Sequence, residues 1–352
     1  MPEADTAEFT SQIVKTPRLN INVWTSGPQD GVPLLLVHGN LTTGGFWKYV
    51  AAQLPDDVRV IAPDLRGFGK TERKPIDATR GLGVMVDDLR ALLEKLGVTS
   101  GINAAGWSMG GGVLQQYQLT YPEDLVSLTL LAPLSPYGFG GTKGPDGEPC
   151  TSDFAGSGAG GAAPEFVRRL QEKDTSREDP TSSPAVILQT FFGPGDNEEV
   201  DLDFLLSQML TTAVGDDFYP GNGTKSTNWP LLAPGDRGVL NTMSPKYFDA
   251  SALVGCEPKP PITWMRGTAD QVVSDRSMFD FGTLGELGAV PGWPGPDVMP
   301  PQPMEAQMRA VLEQYAAHGG TVKEVVLEGV GHGLPLAAPE RVASEIAAIL
   351  VR

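Results

Sequence analysis

The stretch "GINAAGWSMGGGVLQQY", Gly101–Tyr117, passes from an apolar, strand-like segment into a helix-like one across a single serine, Ser108. Gly106 and Gly110 stand two places to either side of it. In a chain with 43 glycines among 352 residues, Gly-x-Ser-x-Gly alone carries little weight. The position carries more. A serine between a buried strand and a helix is forced into a tight, strained turn, and only small residues fit at the flanking positions. The strain holds the hydroxyl above the carboxyl edge of the sheet. The next N–H, that of Met109, then sits at a helix N-terminus. Ser108 is therefore the expected nucleophile.

The flanking sequence supports a sheet. "LNINVWT" (Leu19–Thr25) alternates with period two. "VPLLLVHG" (Val32–Gly39), "VRVIAPD" (Val58–Asp64) and "LVSLTLLAP" (Leu125–Pro133) are apolar runs ended by turn residues, which suits parallel strands covered on both faces. "TRGLGVMVDDLRALLEKLGV" (Thr79–Val98) has apolar residues at helical spacing. This βαβ alternation predicts an α/β fold with a mostly parallel sheet wrapped by helices.

The alternation stops after residue 134 and resumes near residue 258, so the expected core is 1–134 plus 258–352. Residues 135–257 form an insertion read as a mainly helical cap, with helices at Ala163–Asp174, Ser182–Phe192 and Val200–Val214. Past it come the strand "PPITWMRGTAD", the helix "PMEAQMRAVLEQYAAHGG", the strand "VKEVVLEG" and a last helix. The loop "GTLGELGAVPGWPGPDVMPPQP" (Gly282–Pro303) is too rich in Pro and Gly for regular structure. Two readings stay open for it: a cover over the site's mouth, or a contact with a neighbouring subunit.

Five motifs in order give the chain its resemblance. "HGN" (His38–Asn40), "DLRGFGKT" (Asp64–Thr71), "GWSMGG", "GTADQVV" (Gly267–Val273) and "GVGHG" (Gly329–Gly333) resemble those of α/β-hydrolase-fold serine hydrolases, esterase- or lactonase-like, over about two thirds of the chain. The resemblance implies a triad of Ser108, Asp270 and His332. Of the three histidines, His38 lies in the turn that shapes the oxyanion loop, and His318 ends a helix where a capping role suffices. His332 stands where the family places its base. Asp270 follows a strand at the family's position for the acid that fixes the imidazole tautomer, with Asp275 and Glu328 as weaker alternatives. The oxyanion hole would use the N–H groups of Met109 and Asn40, with Leu41 or the Asn40 side chain as substitutes. Asp64 and Arg66 belong to a turn that is usually structural. Dehalogenase-like relatives and epoxide hydrolases carry an aspartate at the elbow, so the serine here argues against both activities.

Cap aromatics predict an apolar pocket drawn from Tyr137, Phe192, Tyr219 and Trp229, with His38, Leu41, Trp47 and Trp107 added by resemblance. The expected substrate is a medium-sized, mainly apolar ester or lactone. A C–C bond hydrolase and a cofactor-free haloperoxidase or perhydrolase share the triad. A C–C hydrolase would need a basic pocket group, for which Arg168, Arg169 and Arg237 are the candidates. A small-molecule receptor on the same fold is the rival of another class.

The composition narrows the partners. A net charge of −17 argues against nucleic acid and against an anionic membrane surface. Three histidines and two scattered cysteines, Cys150 and Cys256, offer no metal site. The glycines of "GSGAGGAAP" neither follow a strand nor open a phosphate-binding helix, so no cofactor is expected. The amino-terminal "MPEADTAEFTSQ" is acidic rather than leader-like, and no apolar run is long enough to span a bilayer. A cytoplasmic protein with two reduced thiols is expected, and a homo-oligomer is left open.

Overall fold

The computed structural model describes residues 9–352. Eight strands form one sheet: β1 (Thr10–Lys15), β2 (Asn20–Ser26), β3 (Val32–Val37), β4 (Val58–Pro63), β5 (Ile102–Trp107), β6 (Leu125–Leu131), β7 (Ile262–Gly267) and β8 (Val322–Leu327). Their spatial order is β1-β2-β4-β3-β5-β6-β7-β8. β3 to β8 run parallel, whereas β2 pairs antiparallel with both β1 and β4. This is the expected α/β-hydrolase fold.

The apolar runs explain the parallel part. Every residue of β5 is buried, as are Leu34–Val37 of β3. Such strands need cover on both faces. α1 (Gly83–Lys95), α2 (Met109–Thr120), α7 (Met304–Ala317) and α8 (Pro339–Ile349) supply it. β1 was absent from the sequence reading. It is an edge strand with no buried residue, so its alternation carries almost no apolar signal.

The strand order reverses around β3. The chain leaves β3 for β4 on one side, then returns to lay β5 on the other. In open α/β sheets this reversal opens a crevice at the carboxyl ends of the two diverging strands. Here those ends deliver His38-Gly39-Asn40 and Ser108.

Residues 132–261 lie between β6 and β7, outside the sheet. They carry α3 (Pro164–Gln171), α4 (Pro184–Phe191) and α5 (Leu202–Met209). They also carry three two-stranded ladders absent from the sequence reading, the longest pairing Gly223–Lys225 with Leu232–Pro234. Phe166, Leu188, Leu205 and Met209 of this region share one continuous apolar cluster with the sheet. α6 (Phe281–Glu286) starts one residue before the segment expected to be irregular and runs into it. No helix among the described residues is long and apolar enough to cross a membrane. Cys150 and Cys256 are both free and half-buried.

Candidate active site

Ser108 sits between β5 and α2 at φ 58° and ψ −121°, a left-handed backbone that a residue with a Cβ adopts only under constraint. The constraint is visible. A Cβ on Gly106 would lie 2.5 Å from the Gly110 carbonyl oxygen, and one on Gly110 would lie 2.2 Å from that of Val37. Helix α2 thus presses directly onto both strands, and any side chain at either position would push it away. Tight packing fixes the turn.

His332 is held beside this turn from two directions. The Trp107 indole N–H, one residue before Ser108, donates to the His332 carbonyl at 2.8 Å. The His332 Nδ1 lies 2.8 Å from Asp270 Oδ2, both side chains being buried. The other oxygen of Asp270 accepts the N–H groups of Val272 at 2.7 Å and Val273 at 3.0 Å. A carboxylate anchored this way cannot rotate, so it fixes the proton on Nδ1 and leaves Nε2 as the basic nitrogen. Nε2 is buried and takes no hydrogen bond from any described residue. The weaker acid candidates are committed elsewhere or exposed. Asp275 accepts the N–H groups of Glu305 and Ala306 at the start of α7, and Glu328 faces solvent.

The remaining histidines bond locally. His38 is fully buried, and its Nε2 accepts the Leu65 N–H at 2.8 Å, so the proton on Nδ1 goes to the Gly39 carbonyl at 2.7 Å. Burial pulls its pKa down to about 4, and the ring stays neutral. Its bonds shape the turn that carries Asn40 and Leu41. Leu41 has φ 60°, a second strained residue at the same site. Exposed His318 bonds through Nδ1 to the Gln314 carbonyl at the end of α7. Asp64 accepts four N–H groups, from Asn22, Trp24, Gly44 and Lys70, and buried Arg66 makes a two-pronged pair with Asp88. Both hold loops rather than face the crevice.

A cavity of about 280 Å³ opens over Ser108. Of the residues expected to line it, Leu41, Phe192 and Tyr219 do so, together with Asn40 and Met109. Five others do not. His38 and Trp47 are sealed in the core, and Trp107 is buried behind the turn with its N–H given to His332. Tyr137 lies over Gly147. Trp229 donates to the Pro291 carbonyl and packs edge-on to Phe281 at 5.9 Å, outside the cavity. The sequence reading missed a whole wall, made of Met278, Phe279, Phe281 and Leu284. Asp280 caps α6 by accepting the Thr283 N–H, a signal present in "DFGT" just ahead of the Pro/Gly-rich run. Of the segment Gly282–Pro303 itself, Leu284 lines the cavity; the rest of this wall precedes it.

No charged side chain among the described residues lines this space. Arg168 and Arg169 pair with Glu165 on α3, and Arg237 pairs with Asp217. Among the described residues no cluster of three or more potential ligands could hold a metal ion.

An α/β sheet with a strained serine at its switch point, and a carboxylate-anchored histidine beside it, defines a class of hydrolytic enzymes. Residues 34–345 match the alpha/beta hydrolase family, and the chain belongs to it. It is 34% identical over 116 residues to the 2-hydroxymuconate semialdehyde hydrolase of Pseudomonas sp. (strain CF600), covering 32% of this chain and 40% of that protein. It is 37% identical over 106 residues to Lipase 1 of Psychrobacter immobilis, covering 30% and 33%. The chain thus spans two fifths or less of the length of these curated relatives. An esterase from Rhodococcus sp. ECU1013 shares the fold over 97% of this chain and 98% of its own, with a TM-score of 0.58 at 18% identity.

Proposed function

We propose that the protein hydrolyses a carboxylic ester or lactone of an uncharged, mainly apolar substrate through an acyl-enzyme. The observation that carries this reading is the Asp270–His332 pair at 2.8 Å, tied by Trp107 to the strained serine at the floor of an apolar cavity. In the proposed reaction Ser108 Oγ attacks the acyl carbonyl while His332 Nε2 takes its proton. The same proton passes to the leaving alkoxide, which departs as an alcohol or stays tethered when a lactone opens. His332 then draws a proton from water, the resulting hydroxide attacks the acyl-enzyme, and the imidazolium returns that proton to Ser108 Oγ as the acid departs. The N–H of Met109 and that of Asn40, or of Leu41, would bind the oxyanion. Asp270 stabilises the imidazolium without itself becoming protonated.

The uncharged wall favours this reading over cleavage of a carbon–carbon bond in an acidic substrate, the reaction suggested by the semialdehyde hydrolase's name. A carboxylate entering this cavity would lose its hydration and gain no counter-charge, at a cost of several kcal/mol.

Intact mass after fluorophosphonate treatment, alongside turnover of an ester and lactone panel, tests the proposal. Wild type should take one adduct and hydrolyse at least one neutral ester over many turnovers. Ser108→Ala should take none and lose about 10³-fold or more in kcat. Folded wild-type protein without adduct or turnover would overturn it. Stoichiometric binding with a trapped adduct would instead favour a receptor.

A further inference from the structure

The polar side chains around the cavity can be accounted for individually. Ser157 Oγ is held between the Phe154 carbonyl and Ser244 Oγ, both at 2.8 Å, and Thr181 Oγ1 donates to Asp179 at 2.7 Å. Ser108 and Asn40 are left for the reacting centre. One further hydroxyl remains, that of Tyr219.

Tyr219 is only 5% exposed, with its ring edge-on to Phe166 at 6.2 Å, and it lines the cavity. Its hydroxyl bonds to no described residue, and burial alone pushes its pKa far up, so it stays protonated. The other deeply buried tyrosines differ. Tyr117 donates to Asp124 at 2.8 Å and Tyr315 to the Pro260 carbonyl at 2.7 Å. The Tyr219 hydroxyl is not one of the fully enclosed polar atoms without a partner, so it is reached from the cavity, where water or a ligand oxygen can accept from it. Phenylalanine would supply the same ring but no donor. The hydroxyl is thus a donor offered to whatever fills the cavity.

We propose that Tyr219 is a specificity-determining residue, donating a hydrogen bond to a neutral oxygen carried by the substrate's apolar body, apart from the scissile carbonyl. The substrate class is then an uncharged ester or lactone bearing a keto, ether or hydroxyl group. The absence of a charged group among the described residues of the wall restricts that oxygen to a neutral one. The identification of this ligand as a substrate rests on the hydrolase reading above. The hydrogen bond itself does not.

Binding to Ser108→Ala protein therefore tests the bond without turnover. The probes are ethyl octanoate and its mono-oxo isomers with the ketone beyond the third carbon, titrated calorimetrically. At least one isomer should bind about three- to tenfold more tightly than the parent, the range of a single neutral hydrogen bond. In Ser108→Ala/Tyr219→Phe protein the parent should still bind and the oxo isomers should bind no more tightly than it does. No isomer preferred, a preference that survives loss of the hydroxyl, or complete loss of parent binding in the double variant would each overturn the proposal. Wild-type hydrolysis of the same set is scored separately. Oxo preference without turnover would retire the ester reading and leave the assignment of Tyr219 standing.

Discussion

At Asp270 the two carboxylate oxygens have different tasks. Oδ1 accepts two backbone N–H groups and Oδ2 faces His332. In Asp270→Asn the amide oxygen would keep the Val272 and Val273 bonds, which points the NH₂ at Nδ1. A donor there drives the imidazole proton onto Nε2, the nitrogen required as base. On the proposed mechanism kcat should fall about 10³- to 10⁴-fold with KM and thermal stability little changed. Ester kinetics and a melting curve on the same preparation check this. A loss below tenfold would remove Asp270 from the proposed triad. The elbow motif singled out Ser108 and the family resemblance singled out Asp270 and His332, and the structure brings the last two to 2.8 Å. The pocket was far less legible. Aromatic identity suggested Trp229 and the resemblance suggested Trp47 and Trp107 as wall residues, yet ring size suits a core as well as a cavity, and only three-dimensional packing separates the two.

Between elements, the strain at Ser108 depends on how closely α2 approaches β3 and β5. Gly110→Ala puts a methyl group 2.2 Å from the Val37 carbonyl and 2.6 Å from that of His38, where only backbone movement can relieve the clash. Overpacking of this kind costs about 1–3 kcal/mol. The variant should melt several degrees lower, and its fluorophosphonate adduct should form at least tenfold more slowly because Met109 and Ser108 shift together. Wild-type stability and labelling would show that the helix does not enforce the turn. The central strands β3 to β7 were legible because most of their residues are buried and turn residues bound them. β1 and α6 were not. The first buries no residue, and the second hides its Asp280 cap at the head of a Pro/Gly-rich run whose composition reads as a loop.

Over the whole molecule, two buried titratable groups set opposing pH dependences. His38 is fully buried and its pKa falls from 6.5 to about 4. Its contribution to stability is complete above pH 6.5 and is lost as pH falls through about 4, a swing of about 3 kcal/mol. Asp280, 2% exposed, moves the other way. Burial outweighs the N–H groups of Gln302 and Thr283 and raises its pKa from 3.8 to about 6. Folding therefore favours its neutral form. That contribution is complete below pH 3.8 and is lost as pH rises through about 6, again by about 3 kcal/mol. Between pH 4 and 6 the two contributions nearly cancel. Asp280→Asn keeps an acceptor for the α6 cap and removes one of them. Denaturant unfolding of both proteins should show the variant gaining about 3 kcal/mol on wild type between pH 4 and pH 7. The variant alone should then lose stability steeply as pH falls from 6.5 to 4, exposing the His38 contribution. A wild-type-to-variant difference that does not change with pH would mean that Asp280 stays ionised in the folded protein throughout this range. The wall that it caps would then carry a buried charge that its two N–H donors fully offset.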